Sequence, residues 1–335
     1  MADARIDTAS KKPSVAIVGL GQMGLGYDLN LNSKQHVYTH AKALSMHSAF
    51  RLVGAVDSDE IKRKTFSEVY DAPGYASLSD LFAHVLPDVL VVATSTDSHL
   101  KIIQEILSLG MCGLILCEKP LAYVLDEAKQ IVDLCESAGV QLLVNYIRRA
   151  DPGINEIKRR IDSGEIGGPF KAVVWYSKGL LHNGSHFFDL IVFWFGSVRA
   201  LHIISNGRDL NNGDAEPDFY VELEQGAVIF LSAKEECFSH YTFELIASNG
   251  RLRYEQSGQI TWQPVVPHAS LKEYKTLQLG GELIPSEFDR YQLNVLDHLA
   301  LLFSGAPHSL CSGKQALENL IVLDQVLKQR TFSEE

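Results

Sequence analysis

Two basic side chains stand where chemistry could be done. Lys119 lies in Glu118-Lys119-Pro120, directly after the apolar run Gly113-Leu114-Ile115-Leu116-Cys117. A lysine just outside a buried strand is costly unless it faces a ligand or partner. Facing one, its ammonium can hydrogen-bond a reacting oxygen and stabilise an alkoxide; a solvated loop lysine is the plainer alternative. His186 falls in the first turn of a helix, within His182-Asn183-Gly184-Ser185-His186-Phe187-Phe188-Asp189-Leu190. The positive end of a helix favours the neutral imidazole. In that form it can take the proton of a hydroxyl while hydride leaves the same carbon; a capping or packing role is the alternative.

The neighbours of this pair are also polar. His182 and His186 have the i, i+4 spacing of a metal pair, but no Glu lies between them and no third ligand is evident, so no metal is expected. Arg148 and Arg149 follow Asn145-Tyr146. They suit an anionic substrate group such as phosphate or carboxylate, with interdomain salt bridges as the equal alternative. Lys178 is a weaker candidate.

The element that must position these groups opens the chain. Val15-Ala16-Ile17-Val18 runs into Gly19-Leu20-Gly21-Gln22-Met23-Gly24. An unbroken apolar run suits a strand buried on both faces. In Gly-x-Gly-x-x-Gly, Gly19 allows the tight turn, Gly21 lets a pyrophosphate approach the backbone, and Gly24 lets a helix pack closely. Strands and helices then alternate to Asn145, which predicts a parallel sheet with right-handed crossovers. Ligands of such sheets lie at the carboxyl ends of the strands. Those ends carry Gly19–Gly24, Asp57, Thr94–Asp97, Glu118-Lys119-Pro120 and Asn145-Tyr146. An acidic residue normally follows the glycine loop by about 20 residues and binds the ribose hydroxyls. Asp57 comes later, so residues 25–38 read as an insertion, either a lid or substrate loop or a surface elaboration. Asp57 favours NAD over NADP, while Ser58, Lys62, Arg63 and Lys64 beside it leave NADP open.

Near residue 150 the pattern changes. Asp151-Pro152 reads as a helix cap followed by proline at the first helical position. Helices are predicted over Ser185–Phe195, Ser286–Phe303 and Ser312–Lys328. Between them lie strands at Lys171–Ser177, Ala200–Ser205, Phe219–Glu224, Ala227–Ser232, Tyr241–Ala247, Arg251–Tyr254 and Gln259–Trp262. Ser248-Asn249-Gly250 and Gln256-Ser257-Gly258 suit antiparallel hairpins. The organisation is a loose tail over 1–12, a Rossmann domain over 13–147, and an α+β domain with a large, mostly antiparallel sheet over 148–335.

Composition narrows the function. Charged residues make up 21% of the chain and apolar ones 46%, ordinary values for a globular protein. The net charge of −11 argues against nucleic-acid binding. No apolar run approaches the 18 or so residues of a membrane span. The five cysteines are scattered and form no Cys-x-x-Cys pair. A polar start without an apolar core, together with these thiols, leads us to expect a reduced, cytoplasmic location.

The ordered set Val15–Gly24, Thr94-Ser95-Thr96-Asp97-Ser98-His99, Cys117–Ala122, Asn145–Arg149 and Gly184–Leu190 resembles the Gfo/Idh/MocA oxidoreductase family over nearly the whole chain. The resemblance implies reversible oxidation of a hydroxyl to a ketone, commonly on sugars, sugar nucleotides or inositols. It also implies homodimer or homotetramer contacts through the C-terminal sheet. Carried over by position, Lys119 and His186 are catalytic. Gly19, Gly21, Gln22, Met23, Gly24, Asp57, Thr94, Thr96, His99, Glu118 and Lys119 hold the dinucleotide. Tyr146, Arg148, Arg149, Lys178, His182 and Asn183 face the substrate. The family usually has Asp four residues before the histidine; here that place is held by His182, followed by Asn183. The family also includes a galactose-pathway repressor that keeps the dinucleotide site without turnover, so a non-catalytic NAD(P)-binding regulator is the alternative function.

Overall fold

The computed structural model describes residues 12–31, 34–110, 113–210, 213–233, 238–255 and 257–330. The expected tail up to Lys11, Cys112, Cys237 and part of the 25–38 insertion lie outside them.

Six strands of the first sheet come from the N-terminal part: β1 (Ser14–Val18), β2 (Arg51–Val56), β3 (Gly74–Tyr75), β4 (Val89–Val92), β5 (Leu114–Cys117) and β6 (Gln141–Val144). They run parallel in the order β6-β5-β4-β1-β2-β3. All of β1 is buried, Ala16 and Val18 against one core and Val15 and Ile17 against the other. Burial on both faces accounts for its lack of alternation. The crossover helices are α1 (His40–Met46), α2 (Glu60–Tyr70), α3 (Leu78–His84), α4 (His99–Ser108) and α5 (Leu125–Ser137). Thr39, Asp59 and Ser77 cap the first three, each side chain accepting amide hydrogens of the opening turn.

Next comes α6 (Pro152–Asp162), capped by the Asp151 carboxylate on the Gly153 and Ile154 amides. The second sheet has nine strands: β7 (Phe170–Tyr176), β8 (Val198–Ser205), β9 (Asp218–Leu223), β10 (Gly226–Ser232), β11 (Thr242–Ala247), β12 (Gly250–Tyr254), β13 (Ile260–Pro267), β14 (Lys275–Leu277) and β15 (Glu282–Ile284). Every pairing is antiparallel except β7 with β10. Alternate residues Phe170, Ala172, Val174 and Tyr176 are buried on the face that packs α7 (Ser185–Phe195), while Trp175 faces out.

The last segment returns to the first sheet. After α8 (Tyr291–Phe303), β16 (Cys311–Ser312) pairs antiparallel with β6, and α9 (Gly313–Lys328) comes next with a reciprocal Ser312–Gln315 capping box. The helix predicted from Ser286 begins at Tyr291. Its first residues are held elsewhere, because Asp151 accepts from the Ser286 hydroxyl and the Glu287 amide. The strand predicted to end at Trp262 runs to Pro267 because β12 pairs with it as far as Pro264 and β14 pairs with Val265–Pro267. Among the described residues, no helix is long and apolar enough to cross a membrane.

Candidate active site

The glycine loop leaves β1 at the expected place and enters a single π-helical turn, Gln22–Gly26, instead of a long helix. Gly19 has φ +100°, and a Cβ there would meet the Ala93 and Thr94 backbone at 2.8 Å. A Cβ on Gly24 would come within 2.1 Å of the Gly19 carbonyl oxygen. Around Gly21, by contrast, nothing lies within 4 Å of that position, and Gly21 lines a cavity of about 600 Å³. The backbone is thus bare toward open space, and a dinucleotide pyrophosphate fits that cradle.

This cavity gathers most of the residues that sequence singled out. Gly21, Gln22, Met23, Thr94, Thr96, Glu118 and Lys119 line one part; Arg148, His182, Asn183 and His186 line another. Lys119, reached through a cis Lys119–Pro120 peptide, donates its Nζ to the His182 carbonyl at 2.6 Å. That carbonyl belongs to a second single π-helical turn, Leu180–Gly184, which leads into α7. The turn is braced by the buried Asp214 carboxylate, which accepts the Leu181 and His182 amides at 2.9 and 3.0 Å. Burial lowers the Lys119 amine to about 8, with Glu118 opposing the shift and Arg148 adding to it.

His186 is buried, and its Nδ1 has no hydrogen-bond partner among the described residues. Burial, then Lys119, Arg148 and His182, push its basicity well down, so the ring is neutral at physiological pH. His182 is lowered to about 4, by burial first and then by Lys119 and Lys178. Two neutral imidazoles beside a lysine can accept a proton without a repelling charge of their own.

Other expected residues sit behind the cavity. Gly19 and Gly24 shape the loop from within. Asp57 is at the end of β2, where its carboxylate accepts the Leu20 and Asp59 amides at 2.7 and 2.9 Å. The buried His99 ring lies between the Leu121 and Thr94 carbonyls, its nitrogens 3.1 and 3.3 Å from them, and in its neutral form it donates to one of the two. Tyr146 is buried and meets His186 edge-on, with ring centroids 6.0 Å apart. Lys178 has φ +62°, and its amide rests on the buried Glu216. The two arginines part company. Arg149 forms a two-pronged ion pair with Asp189, both contacts 2.7 Å, and Asn319 donates to the same carboxylate. Arg148 faces the cavity.

Asn145, at its expected strand end, and Tyr27 of the insertion also line the cavity. Several site residues carried no signal in the sequence: Ser239, Tyr241, Phe288 and Tyr291 line it too. His40, at the start of α1, is buried with Nε2 2.8 Å from Glu118 Oε1, and Asn145 donates to the same oxygen at 2.7 Å. The insertion over 25–38 therefore has a third use besides lid and elaboration. Its buried Asp28 accepts the Tyr38 and Thr39 amides and so sets the start of α1. Tyr38 stacks on Tyr291 of α8, with centroids 5.3 Å apart.

A parallel doubly wound sheet with a bare glycine loop, joined to a mostly antiparallel sheet whose packed helix α7 brings a histidine to the same cavity, is suited to holding a dinucleotide beside a second ligand. Likeness to known proteins narrows this further. Residues 14–146 match the Gfo/Idh/MocA family model, described as "Oxidoreductase family, NAD-binding Rossmann fold". The chain is similar to scyllo-inositol 2-dehydrogenase (NAD(+)) of Bacillus subtilis, 29% identical over 63% of this chain and 64% of the relative. Inositol 2-dehydrogenase of Mycolicibacterium smegmatis is 35% identical over 46% of this chain and 41% of its own. The matched segments thus span less than two thirds of these relatives. In fold it resembles aldose-aldose oxidoreductase from Caulobacter crescentus, with a TM-score of 0.72 at 16% identity, covering 95% of this chain and 97% of that one.

Proposed function

We propose that this chain is an NAD-dependent dehydrogenase interconverting a hydroxyl and a ketone on a sugar, sugar nucleotide or inositol-like substrate. The supporting observation is that Lys119 and His186, far apart along the chain, line one cavity with the glycine loop. A nicotinamide dinucleotide, when bound, supplies the hydride acceptor. Gly21, Gln22 and Met23 hold its pyrophosphate, with Thr94, Thr96 and Glu118 further along the same cavity; Asp57 takes the ribose hydroxyls, and NADP use stays subordinate to NAD. Lys119 hydrogen-bonds the reacting oxygen and stabilises negative charge as it develops there. Neutral His186 accepts the hydroxyl proton as the carbon loses hydride, and returns it in the reverse direction. Asn183 and His182 orient the substrate. In this reading residues 13–147 bind the dinucleotide, and the remainder binds substrate and assembles copies of the chain through the outer face of the second sheet. The free, buried Cys117, Cys135 and Cys311 fit a reduced cytoplasmic setting.

Lys119→Met tests the reading. Turnover with a panel of sugars and inositols should fall about 10²- to 10³-fold, the usual loss for a donor to a developing oxyanion. NADH affinity, read by fluorescence titration, should stay within about twofold of wild type. Equal loss of both would sink the assignment.

A further inference from the structure

Arg148 is 5% exposed, yet no carboxylate lies in ion-pair range of it among the described residues. Its guanidinium stands 5.1 Å from the ring centres of Phe187, Tyr241 and Phe288, and its buried Nε has no hydrogen-bond partner. The Tyr254 hydroxyl beside it, kept uncharged by burial, can accept from this arginine but brings no negative charge to it. Three aromatic faces offset part of the cost of burying this cation, but they accept none of its hydrogen bonds. The contrast with the adjacent Arg149, neutralised by Asp189, shows that the fold can pair a buried arginine where structure alone requires it.

The surroundings say what would complete Arg148. It lines the cavity with His182, Asn183, His186, Ser239 and Tyr241, and this part of the lining contains no acidic residue among those described. Asp97 and Glu118, the acidic residues of the lining, come from the strand ends of the first sheet. Glu118 is already engaged by His40 and Asn145. We propose that the substrate is a carboxylated polyol or sugar acid whose carboxylate docks on Arg148 while a nearby carbinol carbon is presented to Lys119 and His186. This rests on the dehydrogenase reading. A single planar negative charge matches the one guanidinium, whose parallel donors suit a carboxylate. A phosphate dianion would need a second cation, and Lys119 is committed to the reacting oxygen.

The test tracks NADH formation from NAD+ with D-glucuronate and D-galacturonate against D-glucose, D-galactose, myo-inositol and glucose 6-phosphate. Calorimetry measures the binding of each to the enzyme–NADH complex. The acids should show kcat/KM at least tenfold above their neutral counterparts. Arg148→Met should lower kcat/KM for the acids about a hundredfold, mainly through KM, and abolish their advantage over the neutral sugars. Arg148→Lys should restore part of the loss. The wild-type ranking needs no variant, so misfolding of a mutant cannot hide the answer. A neutral sugar, myo-inositol or glucose 6-phosphate preferred over both acids overturns the proposal, as does failure of both acids to bind. Arg148-dependent binding of an acid without turnover would support the carboxylate site and overturn the dehydrogenase reading instead.

Discussion

Neighbouring residues of one type have separate fates here, and burial with its counter-charges decides them. Arg148 and Arg149 are indistinguishable as letters, yet one is locked to Asp189 and the other opens on the cavity. Lys119 shows the same logic in its titration. Its folded value of about 8 lies below the ordinary 10.5 because burial disfavours the ammonium. Between those two values the unfolded chain holds a proton that the folded chain has released, so stability rises with pH across that window. Below it, both states are charged and the folded one carries the whole cost. Lys119→Met removes that cost. Its melting temperature should exceed that of wild type at pH 7, and the gap should close by about pH 10. Scanning calorimetry of both proteins across this range checks it; a gap that ignores pH would mean the amine is not desolvated.

At the level of elements, the two π-helical turns are the parts on which the site hangs. One comes after β1 and presents Gly21; the other precedes α7 and presents the His182 carbonyl to Lys119. Glycines within one loop therefore separate into two kinds. Gly24 is hemmed in by the Gly19 carbonyl, whereas Gly21 borders open space. Gly24→Ala should destabilise the protein by about 3 kcal/mol through overpacking. Gly21→Ala should leave stability within about 0.5 kcal/mol but weaken NADH at least tenfold, since its methyl would occupy the pyrophosphate approach. Denaturant melts and fluorescence titration of the pair separate the two effects. Equal NADH affinity for Gly21→Ala and wild type would remove the loop from the cofactor site. The capping of α6 and α9 is legible in Asp151-Pro152 and Ser312-x-x-Gln315 because caps are local. The π-turns are not, since each is five residues long and braced from a distance, as Asp214 braces the second.

For the whole molecule, the outer face of the second sheet is the surface left to explain. Trp175 on β7 and Ile246 on β11 are 41% and 47% exposed on adjacent strands, and neighbouring register positions put Leu231 beside Trp175. These apolar side chains, interspersed with Lys171 and Glu244 on the same face, suit contact with a second copy. Light scattering after size exclusion should give a dimer or tetramer, and Ile246→Glu should shift it toward monomer with the circular dichroism spectrum unchanged. A monomeric wild-type protein would contradict this. The inner face holds the molecule together. Asp189 of α7 binds Arg149 from the end of the first sheet and Asn319 of α9, so three distant stretches meet on one carboxylate.

Sequence alone determined the parallel sheet, the glycine loop and the antiparallel second sheet. Each of these is written in local periodicity, turn chemistry or a short motif. Tertiary structure alone decided the return of Cys311–Ser312 to the edge of the first sheet and the descent of His40 onto Glu118. It also decided which of the two arginines keeps a free charge. Those outcomes depend on groups more than 30 positions apart sharing one low-dielectric site, and no window along the chain contains them.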